Sequence, residues 1–158
     1  MKWMKQFSRL SLCMLLAMIM AVTPMVSAAA EFTQPKTSAP PDMVQPFGLY
    51  DGYTYLESSL IVLGNNDNGT ITITAVTTAK QTVDEIGAIY QLQRWTGTSW
   101  VDSGSETTLK LEDTDFFYDF VNRSATTGYY YRAKISHYVK HGNKTEKVTE
   151  TTGSILKS

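Results

Sequence analysis

"TITITAVTTAKQTVDEIGAIYQLQRW", residues 70–95, is the stretch on which the fold turns. Its first seven residues alternate strictly. Ile71, Ile73 and Ala75 fall on one side and Thr70, Thr72 and Thr74 on the other. That is the period-two pattern of a strand with one face on a core. "AIYQLQRW" (88–95) reads as a second strand. The polar "TTAKQTVDEIG" (77–87) between them reads as a connection with room for one helical turn.

Working outward, the signals stay β. "LIVLG" is a short apolar run, and "GNNDNG" (64–69) is a cluster of residues that tolerate left-handed backbone, hence a turn. "TGTS" turns the chain from Trp95 into a return strand "WVDS", and "TLKL" alternates again. In "DTDFFYDFVNRS" the pairs Phe116/Phe120 and Phe117/Val121 stand four apart, which suits a helical turn over the end of the core. "YYYRAKISHYV" is the longest strand, and "KTEKVTETT" pairs with it across "KHGN". With no long amphipathic helix, about seven short strands must close a core by themselves. The reading is an all-β domain over residues 50–158, a seven-stranded antiparallel β-sandwich, with a small barrel as the other closed solution.

The ends and the composition narrow the setting. Lys2, Lys5 and Arg9 precede an apolar run from Leu10 to Val22, then Pro24 and the small residues "VSAAA". This is the pattern of a cleaved secretory signal over residues 1–30, cut after Ala28 or Ala30. The run is shorter than the roughly 20 residues a membrane span needs. Cys13, the one cysteine of the chain, would leave with it, so the exported protein has no disulfide or thiolate chemistry. Residues 31–49 carry four prolines and read as a flexible linker. Removing residues 1–30 takes away three of fourteen basic residues and none of the fifteen acids, which leaves a net charge of −4. That argues against nucleic acid as a partner.

Four groups of residues could carry chemistry. His137 and His141 have the spacing of a helical zinc pair, but their segment alternates as a strand and offers no third ligand. On that strand Tyr129, Tyr131, Ala133, Ile135 and His137 share the inward face, and Tyr130, Arg132, Lys134 and Tyr138 form the outward row. Trp95 and Trp100 flank a four-residue loop and point to one face together with Gln93 and Gln91. Burying two unpartnered glutamines would cost about 1–3 kcal/mol each. The core face is therefore expected to be Tyr90 and Leu92, with the Trp pair outside or across the rim, beside Gln93 and Asp102. Exposed paired aromatics suit sugar stacking or protein binding. The acidic run Glu112, Asp113, Asp115 and Asp119 lacks the glycine and terminal glutamate of a calcium loop. No G-x-S-x-G, phosphate loop or H-E-x-x-H occurs.

"GYYYRAKI" (128–135) is similar to the penultimate strand of immunoglobulin and fibronectin type III-like domains, where a tyrosine pattern follows a glycine turn. Together with "LQRWTGTSW" and "GYYYRAKISHYV", the chain resembles an uncharacterised family of small exported proteins of Gram-positive bacteria. The resemblance spans most of residues 50–155. It implies a sandwich fold and a secreted, extracellular or cell-wall location, and it brings no catalytic residue. The Cys…Trp…Cys of antibody domains is missing. The expectation is a secreted, monomeric, non-enzymatic protein without cofactor or metal. It would bind a cell-wall glycan or an extracellular protein, and no membrane after signal cleavage. Its surfaces would be Trp95, Trp100 and Gln93, with Tyr130, Arg132 and Tyr138 as a second patch. A carbohydrate-binding accessory module is the alternative, and a small hydrolase on the acidic run and His137 is a third class.

Overall fold

The computed structural model describes residues 33–43 and 48–158; the expected signal segment, 1–30, lies outside them. The described residues contain no helix. Eight strands follow in order: β1 Gly48–Leu49, β2 Leu56–Asn65, β3 Thr70–Trp95, β4 Trp100–Asp102, β5 Thr107–Ser124, β6 Tyr130–His141, β7 Lys144–Thr151 and β8 Ile155–Leu156. All pairings are antiparallel and all belong to one sheet. The order β1-β2-β3-β6-β7 has β4 and β5 added on β3 and β8 on β6.

The difference from a seven-stranded sandwich comes from β3. Where two strands and a connection were expected, the chain runs extended for 26 residues. Its neighbour changes on the way. β2 pairs with it from Asn65↔Ile71 to Leu56↔Ala79, and β6 takes over from Glu85↔Lys140 to Arg94↔Tyr131. β5 lies along both parts, with a register shift between Thr78 and Val83. Lys80, Gln81 and Thr82 are exposed at this point. The inward positions are odd-numbered before it (Ile71, Ile73, Ala75, Thr77, Ala79) and even-numbered after it (Ile86, Ala88, Tyr90, Leu92). An irregularity of this kind bends a strand and swaps its faces. One sheet therefore curls until its two parts enclose a single core, as two separate sheets would.

Side chains from both parts meet there. Ile71, Ile73, Ile61, Phe117 and Val121 come from one part, and Tyr90, Leu92, Ile135 and Val139 from the other. Polar groups join them: Tyr90 Oη donates to the Asp119 carbonyl at 3.0 Å, and Thr77 Oγ1 lies 2.8 Å from His137 Nδ1. "DTDFFYDFVNRS" is likewise strand rather than helical turn. Four-residue spacing puts Phe117 and Val121 on one face of an extended chain just as it would on a helix.

Gly87 marks how closely β3 and β5 approach. A β-carbon there would stand 2.4 Å from the Leu109 carbonyl oxygen and 3.0 Å from Lys110 Cα. Backbone must move to admit it. Gly87→Ala should therefore lower stability by about 2–3 kcal/mol, in the range of overpacked interiors, read as a fall in the urea midpoint with an unchanged slope.

Candidate functional site

The six candidate binding residues lie on one face of the sheet, although Tyr138 is buried there rather than exposed as expected. Register places Gln93 opposite Arg132 of β6 and Asp102 of β4, and Trp95 opposite Trp100. Side chains alternate along strands, so Trp95, Trp100, Gln93, Tyr130, Arg132 and Tyr138 share the outer face of the second part of the sheet. Four of them touch. The Trp95 and Trp100 rings are 5.2 Å apart and tilted by 51°. The Arg132 guanidinium lies 4.4 Å over the Trp100 ring, within cation–π range. Arg132 Nε donates to Gln93 Oε1 at 2.9 Å, and Gln93 Nε2 donates to Asp102 Oδ1 at 2.8 Å. Partial burial lowers the Arg132 pKa. Tyr138 is six residues from Arg132, roughly 20 Å along an extended strand. It belongs to a different neighbourhood: burial, then a hydrogen bond to Glu85, pushes it up to about 12. Tyr130 is half-buried, and β8 pairs at its position through Leu156.

Trp95 departs from the open platform expected of it. It is 8% exposed, and Gln91 and Gln93 are buried with it, so the second part of β3 is covered on both faces. The glutamines have the partners that sequence reasoning could not supply. Gln91 Nε2 donates to the carbonyls of Leu92 and Gly104, and Gln93 has Asp102 and Arg132. Trp100 stays half-buried at the edge. Residues 33–43, within the stretch read as linker, lie against this face. The Lys36 amide donates to the Gly128 carbonyl at 2.7 Å, Ser38 Oγ donates to the Gly97 carbonyl, and Arg132 Nη1 donates to Met43 Sδ.

His137 is fully buried. Its Nδ1 faces Thr77, and its Nε2 is 3.9 Å from Glu150 Oε2. Ser59 donates to the same carboxylate oxygen, and Tyr50 Oη lies 2.7 Å from Ser59 Oγ. A hydroxyl, an imidazole and a carboxylate thus stand in line, but Thr77 and His137 show no surface to solvent. The line braces the two parts of the sheet. His141 sits at the β6–β7 turn, 3.2 Å from Asp84. Among the described residues no three His, Cys, Asp or Glu side chains are placed to hold a metal ion. In the acidic run, Asp113 takes a left-handed backbone (φ 52°) on β5, a conformation aspartate tolerates. Lys110 bridges the facing Glu85 and Glu112 at 2.5 and 3.2 Å.

A second surface had no counterpart in the sequence reading. On the outer face of the first part of the sheet, Leu60, Val76 and Tyr118 form one row across three strands, and Val62, Thr74 and Phe120 form the next. Phe116 stands beside them at Thr78. Phe116, Tyr118 and Phe120 are 50, 57 and 49% exposed. These rows carry no charge. Three half-exposed rings leave roughly 300 Å² of aromatic surface, the size of the largest patches on monomers, which are often functional. The alternation of β5 would have shown this face, had the segment been read as a strand.

No protein-family model and no curated protein matches the chain. Among solved structures, a protein from Archaeoglobus fulgidus is similar at 13% identity and a TM-score of 0.35. The match covers 65% of this chain and 98% of that one.

Proposed function

We propose that the protein is an exported, non-catalytic binding protein that docks an extracellular protein partner through the outer face of β2, β3 and β5. The observation that carries this reading is the uncharged aromatic face around Phe116, Tyr118 and Phe120. Interface centres are poor in charge and rich in aromatic side chains. The partner would lie on the face rather than extend the sheet. β5 is an edge strand, yet Thr114 Oγ1 accepts from the Phe116 amide, and Asp119 Oδ1 accepts from the Phe120 amide. Side-chain capping of this kind discourages strand addition. Export behind residues 1–30 and kinship with the small Gram-positive exported proteins belong to the same proposal.

The carbohydrate-binding reading depended on two open indole faces, and the burial of Trp95 removes one of them. Two treatments of the cell envelope separate the readings. Binding of the labelled protein should fall at least tenfold when envelope is pretreated with protease and persist after glycan hydrolysis. Loss on glycan hydrolysis alone would return the assignment to a glycan.

A further inference from the structure

We propose that the surface formed by Trp95, Trp100 and Arg132 is a docking site for extended, proline-rich peptide, and that the chain's own residues 33–43 occupy it in cis. This surface is separate from the aromatic face on β5, and the arm beside it, "TQPKTSAPPDM", carries Pro35, Pro40 and Pro41. Its ends are fixed. Lys36 is tied to Gly128 through its backbone, with its ammonium 5.2 Å from the Tyr129 ring. Ser38 bonds the carbonyl of Gly97, in the loop between the two tryptophans. Five residues on, Met43 receives the Arg132 hydrogen bond, and Arg132 itself stacks on Trp100. Pro40 and Pro41 span the distance between these anchors.

The arm meets the domain in two places, at Lys36–Ser38 and again at Pro40–Met43. Thr37 lies against Gly97, Pro40 is the buried position of the arm, and the exposed Met43 reaches Arg132; Ala39, Pro41 and Asp42 are exposed. The chain bends at Lys36–Thr37 and runs on through Pro40 and Pro41, whose rings fix φ near the value of a polyproline II helix. Such helices are recognised by aromatic-lined surfaces because they are already ordered and lose little entropy on binding. A second observation points the same way. Trp95 Nε1 is buried without a hydrogen-bond partner among the described residues. The arm in cis leaves that donor unused, and a peptide that sets a carbonyl on it gains a bond the arm lacks. The surface therefore favours a partner with a Pro-Pro pair, and Arg132 favours a carboxylate near its end.

The cis arm competes at an effective concentration on the order of millimolar, so the purified protein should bind a free peptide weakly. The test titrates the blocked synthetic peptide of residues 33–43 while Trp emission is followed. The variant Pro40→Gly/Pro41→Gly keeps the arm's length and loosens its helix; it should bind the peptide at least tenfold more tightly than the unaltered protein, with an emission shift. Trp100→Ala in that background should abolish the shift, and Arg132→Lys, which keeps charge but loses the planar stack, should weaken binding at least threefold. Unchanged circular dichroism certifies the fold of each. The proposal is overturned if the double-glycine variant fails to bind at millimolar peptide. Binding no tighter than that of the unaltered protein, or binding indifferent to Trp100, overturns it equally.

Discussion

Replacing Glu146 with alanine should lower the unfolding free energy by about 3–5 kcal/mol, the cost of leaving buried donors without their charged acceptor. Glu146 is buried on β7, and its carboxylate accepts three consecutive amides: Thr54 at 2.8 Å, Tyr55 at 2.7 Å and Leu56 at 2.9 Å. Lys144 Nζ lies 2.8 Å from Oε1. This one side chain pins the entry of β2 onto β7, strands from opposite parts of the curled sheet. Burial alone would raise its pKa. Lys144 and the three amides outweigh that and hold it at about 2, below the ordinary 4.5. Its contribution is therefore complete above about pH 4.5 and fades as pH falls toward 2. Thermal unfolding at pH 7 should show the alanine variant melting roughly 10–20 °C lower. Lys144→Ala, an exposed partner, should cost under about 1 kcal/mol. If the two variants lose stability equally, the amides are not what the carboxylate holds.

The second large effect is a loss of stability on mild acidification, carried by His137. Complete burial depresses its pKa from 6.5 to about 4, even with the Glu150 carboxylate 3.9 Å from Nε2. Glu150 by itself would favour the proton, but the loss of solvation outweighs it. The folded protein thus keeps the imidazole neutral at pH values where the unfolded chain protonates it. Stability is full above about pH 6.5 and falls steadily to about pH 4, by about 3 kcal/mol in all. Below that, Glu146 takes over, so acid sensitivity continues in the same direction. Urea titrations at pH 7, 5.5 and 4 measure the slope. His137→Gln keeps a neutral polar group facing Thr77 and should flatten the segment between pH 6.5 and 4. A slope identical to that of the unaltered protein would assign the acid sensitivity elsewhere.

Much of the fold was legible where a strand has one wet face. "TITITAV" alternates because β2 and β5 flank it while threonine meets solvent, and Tyr131, Ala133, Ile135 and His137 read correctly as the inward face of β6. "TTAKQTVDEIG" misled for a physical reason. Lys80, Gln81 and Thr82 are exposed where β3 exchanges β2 for β6, so a bend inside one strand carries the composition of a loop between two. Alternation puts the Trp pair on the face where the structure has it, but does not reveal that Trp95 is buried there. Burying Gln91 and Gln93 looks too costly from sequence because their partners Gly104, Asp102 and Arg132 come from positions up to 39 residues away. The helical turn expected from the pairs Phe116/Phe120 and Phe117/Val121 is strand in the structure, because four-residue spacing suits both.

The central claim is that the β2–β3–β5 face is the surface that meets the partner, and it is tested most directly by a binding isotherm of the labelled protein on cell envelope. Phe116→Ser/Phe120→Ser removes two half-exposed rings and touches no core residue. Surface changes of this kind leave stability within about 1 kcal/mol. The unaltered protein should bind saturably and the double variant at least tenfold more weakly, with melting temperatures within about 5 °C of each other. Equal isotherms for the two proteins would contradict the claim.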